Sequence, residues 1–157
     1  MSNIKMVAPC LFGIEGIAAD EFKRMGFEKV EAENGRVLIE GNENMLCRAN
    51  INSRFAERIL INMGEFEATS FTELFDNVKS LPWENYIGKD DAFPVNGWSI
   101  NSNLSSIPDC QSIIKKAIVK RLSNKYKVNR LPENGSMYKV KFAIVKDVAE
   151  IYLDTSG

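Results

Sequence analysis

The stretch Lys29-Val30-Glu31-Ala32-Glu33-Asn34-Gly35-Arg36-Val37-Leu38-Ile39-Glu40-Gly41 decides the fold. Asn-Gly between two short pairable runs is a strong local hairpin signal. It predicts strands over Lys29 to Ala32 and Arg36 to Glu40. Upstream, Met6 to Phe12 is an apolar run containing Pro9; proline cannot donate to a central ladder, which predicts an edge or first strand. Between run and hairpin, Ile14, Ile17, Ala18, Phe22 and Met25 recur at helical spacing, and Gly26 suits a C-cap. Downstream, Asn42-Glu43-Asn44 opens a second predicted helix. Its apolar positions, Met45, Leu46, Ala49, Ile51, Phe55, Ile59 and Leu60, run to a stop at Gly64, and a short strand follows over Glu65 to Thr69.

The resulting order, β-α-β-β-α-β, is the split βαβ, ferredoxin-like arrangement, with two helices on one face of an antiparallel sheet. A second unit opens at Ser70-Phe71-Thr72-Glu73, which has the form of a capping box. Phe71, Leu74, Phe75, Val78 and Leu81 make the expected buried stripe of its first helix, which Pro82-Trp83 ends. A strand is expected within Ala92 to Ser102, a helix over Ser105 to Tyr126, and two strands, Tyr138 to Val145 and Ala149 to Asp154, joined at Lys146-Asp147. The class is α+β, with one domain over 1–69 and another over 70–157.

Composition narrows the chemistry. With 45% hydrophobic and 26% charged residues, the 157-residue chain can bury a core. No apolar run is long enough to cross a bilayer and the N-terminus lacks a signal-peptide pattern, so the chain reads as cytoplasmic. There is no histidine, which removes the commonest general base and most zinc chemistry. Cys10, Cys47 and Cys110 form no CxxC and read as small buried hydrophobes. No metal site is expected. Gly13-Ile14-Glu15-Gly16 is not a dinucleotide fingerprint, there is no P-loop, and the carboxylates form no evident dyad. No catalytic residue is assigned.

Charge, by contrast, is segregated. Cys110 to Pro132 holds seven of the 20 basic residues and none of the 21 acidic ones, an electrostatic footprint for a polyanion. On a helical wheel Ile114, Ile118 and Leu122 fall together, with Lys116, Lys120 and Lys127 opposite. Lys116 and Lys120, four apart, repel each other. They read either as a phosphate-contacting ridge or as a solvated face that only confers solubility. Ser105 and Ser106, with Pro108 in the first turn, could present hydroxyls and free N–H groups to a phosphate, or Ser106 could simply cap the helix. Arg48, Arg54 and Arg58 are better read as structural ion-pair partners. Trp83 and Trp98 could stack on bases, but their apolar or boundary positions favour packing for both.

The ordered strings Cys10 to Gly16, Asn34-Gly35-Arg36-Val37, Asn50 to Ile59, Phe71 to Phe75 with Pro82-Trp83, Asn103 to Leu122 and Glu150 to Gly157 resemble a known family. It is the N-terminal region of bacterial 23S ribosomal-RNA guanine-N2 methyltransferases, a ferredoxin-like domain followed by a THUMP domain. The resemblance implies a module that captures structured RNA for a downstream catalytic domain. That domain, expected after Gly157, would bring the S-adenosylmethionine site; no cofactor is assigned to this chain. By position, Ser105, Ser106, Gln111, Lys115, Lys116, Lys120 and Arg121 fall on the element that resembles the RNA-facing helix. THUMP domains also precede tRNA methyltransferases and thiouridine synthases, and a protein-interaction module or a free-standing enzyme remain the other classes.

Overall fold

The computed structural model describes residues 3–52 and 59–154. These form two compact units that divide between Asn62 and Met63. The first contains β1 (Ile4–Pro9), α1 (Glu15–Arg24), β2 (Lys29–Glu33), β3 (Arg36–Gly41), α2 (Glu43–Asn52) and the start of β4 (Leu60–Glu67). Its strands lie in the order β2-β3-β1-β4 and each neighbouring pair is antiparallel, as a split βαβ requires. The Asn34-Gly35 turn joins β2 to β3, with Glu33 opposite Arg36 and the two side chains ion-paired at 2.7 Å. Gly35 carries the turn at φ +76°, a backbone that glycine adopts without Cβ strain. Glu15 fastens the β1–α1 loop to this turn: its carboxylate accepts the N–H groups of Gly13 and Gly35, both at 2.7 Å. Val37 and Ile39 of β3 bury alongside Met6, Ala8, Ala18 and Phe22, and Phe22 meets Phe27 edge-on at 5.8 Å.

Several expectations change here. The second helix does not run to Gly64. Among the described residues it ends at Asn52, and β4 begins at Leu60. Ile59, Leu60 and Ile61 are all buried, and Leu60 and Ile61 pair with Val7 and Met6. A short apolar run fits helix and strand alike, and pairing with β1 decided it. Gly64 is a strand residue, and a Cβ there would lie 2.8 Å from the Leu81 side chain. Of the two alternatives for the Pro9 run, β1 is the first strand and not an edge; Pro9 is tolerated as its last residue, past the positions paired with β4. Phe71, placed in a buried stripe, is exposed, as are Ile17 and Cys47. Phe55, Arg54 and Arg58 lie outside the described residues, as does the side chain of Arg48.

The second unit contains α3 (Phe71–Lys79), a 3-10 turn at Trp83–Asn85, β5 (Val95–Ile100), α4 (Ile107–Tyr126), β6 (Lys139–Val145) and β7 (Val148–Asp154). The Ser70 hydroxyl accepts the Glu73 N–H at 3.1 Å, but the Glu73 carboxylate returns to Thr69 N rather than to Ser70. The capping box is therefore formed with its reciprocal bond displaced by one residue. Strands lie in the order β7-β6-β5. Lys146 and Asp147, at φ +50° and +66°, make the two-residue β6–β7 turn. β5 and β6 are parallel in unbroken register from Val95↔Val140 to Ile100↔Val145. A parallel pair needs a crossover, and α4 supplies it. That topology lays α4 across the sheet and thereby positions the basic segment.

β5 lies close on β6 because it carries Gly97. A Cβ there would stand 2.2 Å from the Phe142 carbonyl oxygen and 2.4 Å from its ring. Overpacking of this kind typically costs about 1–3 kcal/mol. Gly97→Ala should lower the urea midpoint accordingly, with unchanged steepness, whereas Gly16→Ala, where the added methyl meets nothing within 4 Å, should leave it nearly unmoved. An unaltered midpoint for Gly97→Ala would mean that this contact does not limit the fold.

Candidate nucleic-acid interface

α4 buries one stripe completely. Cys110, Ile114, Ala117, Ile118 and Leu122 are each 0% exposed, as expected of a crossover helix with an apolar face. Packing against α3 and β5 follows from this stripe. Burial raises the Cys110 thiol pKa, with Asp109 adding to it, so this sulfur stays an unreactive core atom. The remaining residues of the helix are sorted by what they find beside them.

Lys115 and Arg121 find internal partners. The Lys115 ammonium donates to Glu133 and, at 3.1 Å, to the Phe93 carbonyl, and sits 3.8 Å from the centroid of the Phe93 ring. Arg121 makes a two-pronged pair with Glu84: Nε to Oε1 at 2.9 Å and Nη2 to Oε2 at 2.8 Å. Its Nη1 also reaches the Lys79 carbonyl at 3.3 Å. The fork ties α4 to the 3-10 turn after α3, and Lys125 approaches the same carboxylate at 3.8 Å. The Arg121 hydrogen bond holds the Glu84 carboxyl below the usual range, and Glu84 in turn raises Arg121. Tyr126 closes the end of the helix by donating to the Ile87 carbonyl at 2.6 Å. Gln111 Nε2 donates to Asn96 Oδ1 at 3.3 Å, linking α4 to β5.

Lys116 and Lys120 are exposed, and among the described residues no carboxylate pairs with either. They stand one turn apart beside a shallow concavity of about 450 Å³, lined also by Val119, Ser123, Asn124, Val128 and Asn129. Lys127, grouped with them on the wheel, is the C-cap of α4, in the left-handed region at φ +54°. Ser105 and Ser106 are exposed at the other end of α4; Ser106 is the N-cap, but its hydroxyl makes no capping bond. At ~1.5 Å rise per residue, Ser106 and Lys116 are roughly 15 Å apart. The structure thus brings Lys115, Lys116 and Lys120 together, leaves Ser105 and Ser106 apart, and engages Gln111 and Arg121 elsewhere. The sequence reading missed Asn124, Asn129 and Val128, which follow no period, and Glu84 and Glu133, distant in sequence from the cations they hold.

Two domain-family models match this chain: the RlmL ferredoxin-like domain over residues 5–60 and the THUMP domain over residues 68–154. The chain belongs to the THUMP domain family and is built as a ferredoxin-like domain followed by a THUMP domain. It is 41% identical over 159 residues to "Putative RNA methyltransferase YpsC" of Bacillus subtilis (strain 168), covering all of this chain and 41% of that protein. It is 28% identical over 150 residues to "Ribosomal RNA large subunit methyltransferase K/L" of Psychromonas ingrahamii, covering 95% of this chain and 20% of that one. The crystal structure of SMU.472, described as a putative methyltransferase complexed with SAH, superposes with a TM-score of 0.93 at 39% identity, over 99% of this chain and 42% of that chain. The chain thus spans about two fifths or less of the length of these relatives.

The Glu84 pair gives a pH signature. Because the folded-state pKa of Glu84 is depressed, its contribution is present above the unfolded value of about 4.3 and is lost as pH falls through the folded value. Glu84→Gln should therefore be less stable than the parent at pH 7, and the gap in urea midpoints should close under acid. A gap that stays constant down to pH 3 would show that the pair does not act through ionisation.

Proposed function

We propose that this chain is the RNA-capturing region of a ribosomal-RNA methyltransferase, acting on large-subunit (23S) RNA in the cytoplasm. The observation that carries the reading is Lys116 beside Lys120: two exposed ammonium groups with no carboxylate partner among the described residues, one turn apart on the THUMP domain's crossover helix. A like-charged pair at this spacing destabilises a helix by a few tenths of a kcal/mol, roughly, and phosphate would relieve that repulsion. Phosphate contacts position a nucleic acid without reading its sequence, which suits a module that recognises RNA by shape. The concavity beside the lysines, with Asn124 and Asn129 on its rim, offers amides for further backbone or 2′-hydroxyl contacts.

Support for the ribosomal target comes from the K/L relative, and support for methyl transfer from that protein, YpsC and SMU.472. Guanine N2 is proposed as the methylated atom on the strength of the family resemblance. S-adenosylmethionine would be held by a catalytic domain in the remaining length of such proteins. This chain's own residues are assigned to capture, none to the methyl donor. Within the surface, Lys116 and Lys120 contact phosphate directly. Lys115, Gln111 and Arg121 act by holding α4 in place, and Ser105 and Ser106 offer a separate polar contact at the helix start.

Fluorescence anisotropy with a labelled ribosomal-RNA hairpin across a salt series tests this. The parent chain should bind in a salt-sensitive manner. Lys116→Ala with Lys120→Ala should bind more weakly, and its slope of log affinity against log salt should be shallower by roughly 1.4–1.8, the loss of two phosphate contacts. Lys89→Ala, also an exposed lysine, should change little. Equal affinity and slope for parent and double variant would sink the assignment of α4.

A further inference from the structure

The two tryptophans of the chain meet opposite fates. Trp83 is fully buried and its indole N–H donates to the Val78 carbonyl at 2.8 Å, so its expected packing role is met. Trp98, expected to pack as well, is 51% exposed. Alternation along β5 sets Asn96, Trp98 and Ile100 on one face, opposite Val95, Gly97 and Ser99. The register partner of Trp98 on β6 is Ala143, too small to cover an indole. β5 is also the last strand in the sheet order, so Trp98 stands at an edge.

The charged residues on the neighbouring strand are basic, and the acids closest to it are bonded within the unit, the Asp147 carboxylate accepting the Asn103 N–H at 2.8 Å. Residues 92–108, which include all of β5, contain no charged side chain, and residues 134–146, which include all of β6, contain Lys139, Lys141 and Lys146 and no acid. Lys141 is the register partner of Asn96, and the Lys146 N–H donates to the Ile100 carbonyl at 3.3 Å. On β7 the Glu150 carboxylate is held by the Tyr152 hydroxyl. The Gln111–Asn96 bond joins this edge to the helix that carries Lys116 and Lys120. Lysines on and beside β6 next to an exposed indole suit a polyanion whose bases can stack. Base–aromatic stacking beside cations is the common means of holding single-stranded nucleic acid.

We infer that the RNA surface continues from α4 around the β5 edge, and that Trp98 stacks on an unpaired base while Lys146 faces a flanking phosphate. The inference rests on the RNA-capture reading and narrows its ligand to RNA with a single-stranded segment next to structure.

Because Trp83 is buried, Trp98 is the indole that a bound base can quench. The chain is titrated with one hairpin in two forms, blunt and with a single-stranded extension, reading labelled-RNA anisotropy and intrinsic tryptophan fluorescence together. The extended RNA should quench the parent. Trp98→Phe should lose the quenching, and Trp98→Ala should bind the extended RNA about ten-fold more weakly while binding the blunt form as the parent does. Salt-sensitive binding without quenching, and with equal affinities for parent and Trp98→Ala, would overturn the stacking site and leave RNA capture standing. Absence of binding to either RNA would overturn capture and the stacking site with it. A fluorescence shift that grows with protein concentration in the absence of RNA, lost in Trp98→Ala, would instead assign the edge to a second copy of the chain.

Discussion

Complete burial of one stripe of α4 is the constraint on which the second unit depends. Cys110, Ile114, Ala117, Ile118 and Leu122 leave no freedom in how the helix is rotated. The parallel pairing of β5 with β6 makes that helix obligatory as a crossover. Once stripe and crossover are fixed, so is the direction of every lysine on the helix. The basic segment is therefore held on a rigid core element rather than on a loop. A rigid support limits the side-chain ordering that binding has to bring about.

The cations of this segment divide by what the fold spends them on. Arg121 forms a fork with Glu84, and a guanidinium is better suited than an ammonium to that two-point geometry. Lys115 is shared among Glu133, a carbonyl and the face of Phe93, so its charge is largely neutralised within the unit. These contacts also pin α4 at two heights, on the Phe93 side and on the 3-10 turn side. Lys116 and Lys120 receive no such compensation among the described residues. A surface that kept charge only for solubility would have no need to place its uncompensated lysines one turn apart, where they repel, beside a concavity lined by amides.

The legible parts of the fold were those with local signals. Asn34-Gly35 announced the first hairpin, alternation announced β6 and β7, and the Ser70-to-Glu73 pattern announced α3. The order of elements in the first unit followed from these. What was not legible depended on partners distant in sequence. Ile59-Leu60-Ile61 is apolar on every position and fits a helix until β1 is there to pair with it. For the site, composition located α4 and its exposed lysines. The wheel set Lys116 apart from Lys115, but nothing local showed that Lys115 meets Glu133 and Phe93. Nor did anything local separate Trp83 from Trp98: both have apolar neighbours, and only the register opposite Ala143 at a sheet edge shows which is left uncovered.

The edge strand raises a separate question of stability. An uncharged strand such as Val95-Asn96-Gly97-Trp98-Ser99-Ile100 at the end of a sheet invites pairing with other chains, and edges are normally protected by charge, proline or cover. Here the protection is indirect. Pro94 precedes the strand, Asn101 turns it away at φ +51°, and Gln111 reaches down from α4 to Asn96, so only a short length of backbone is open. The lysines of β6 lie one strand further in, where they repel the same lysines of a second copy without occupying the edge itself. Keeping them off β5 leaves the indole face unobstructed. Charge placed directly on β5 would guard the edge better, but it would fill the space that a stacked base needs. The segregation of lysines to β6 and of apolar and amide side chains to β5 is the arrangement that serves both requirements.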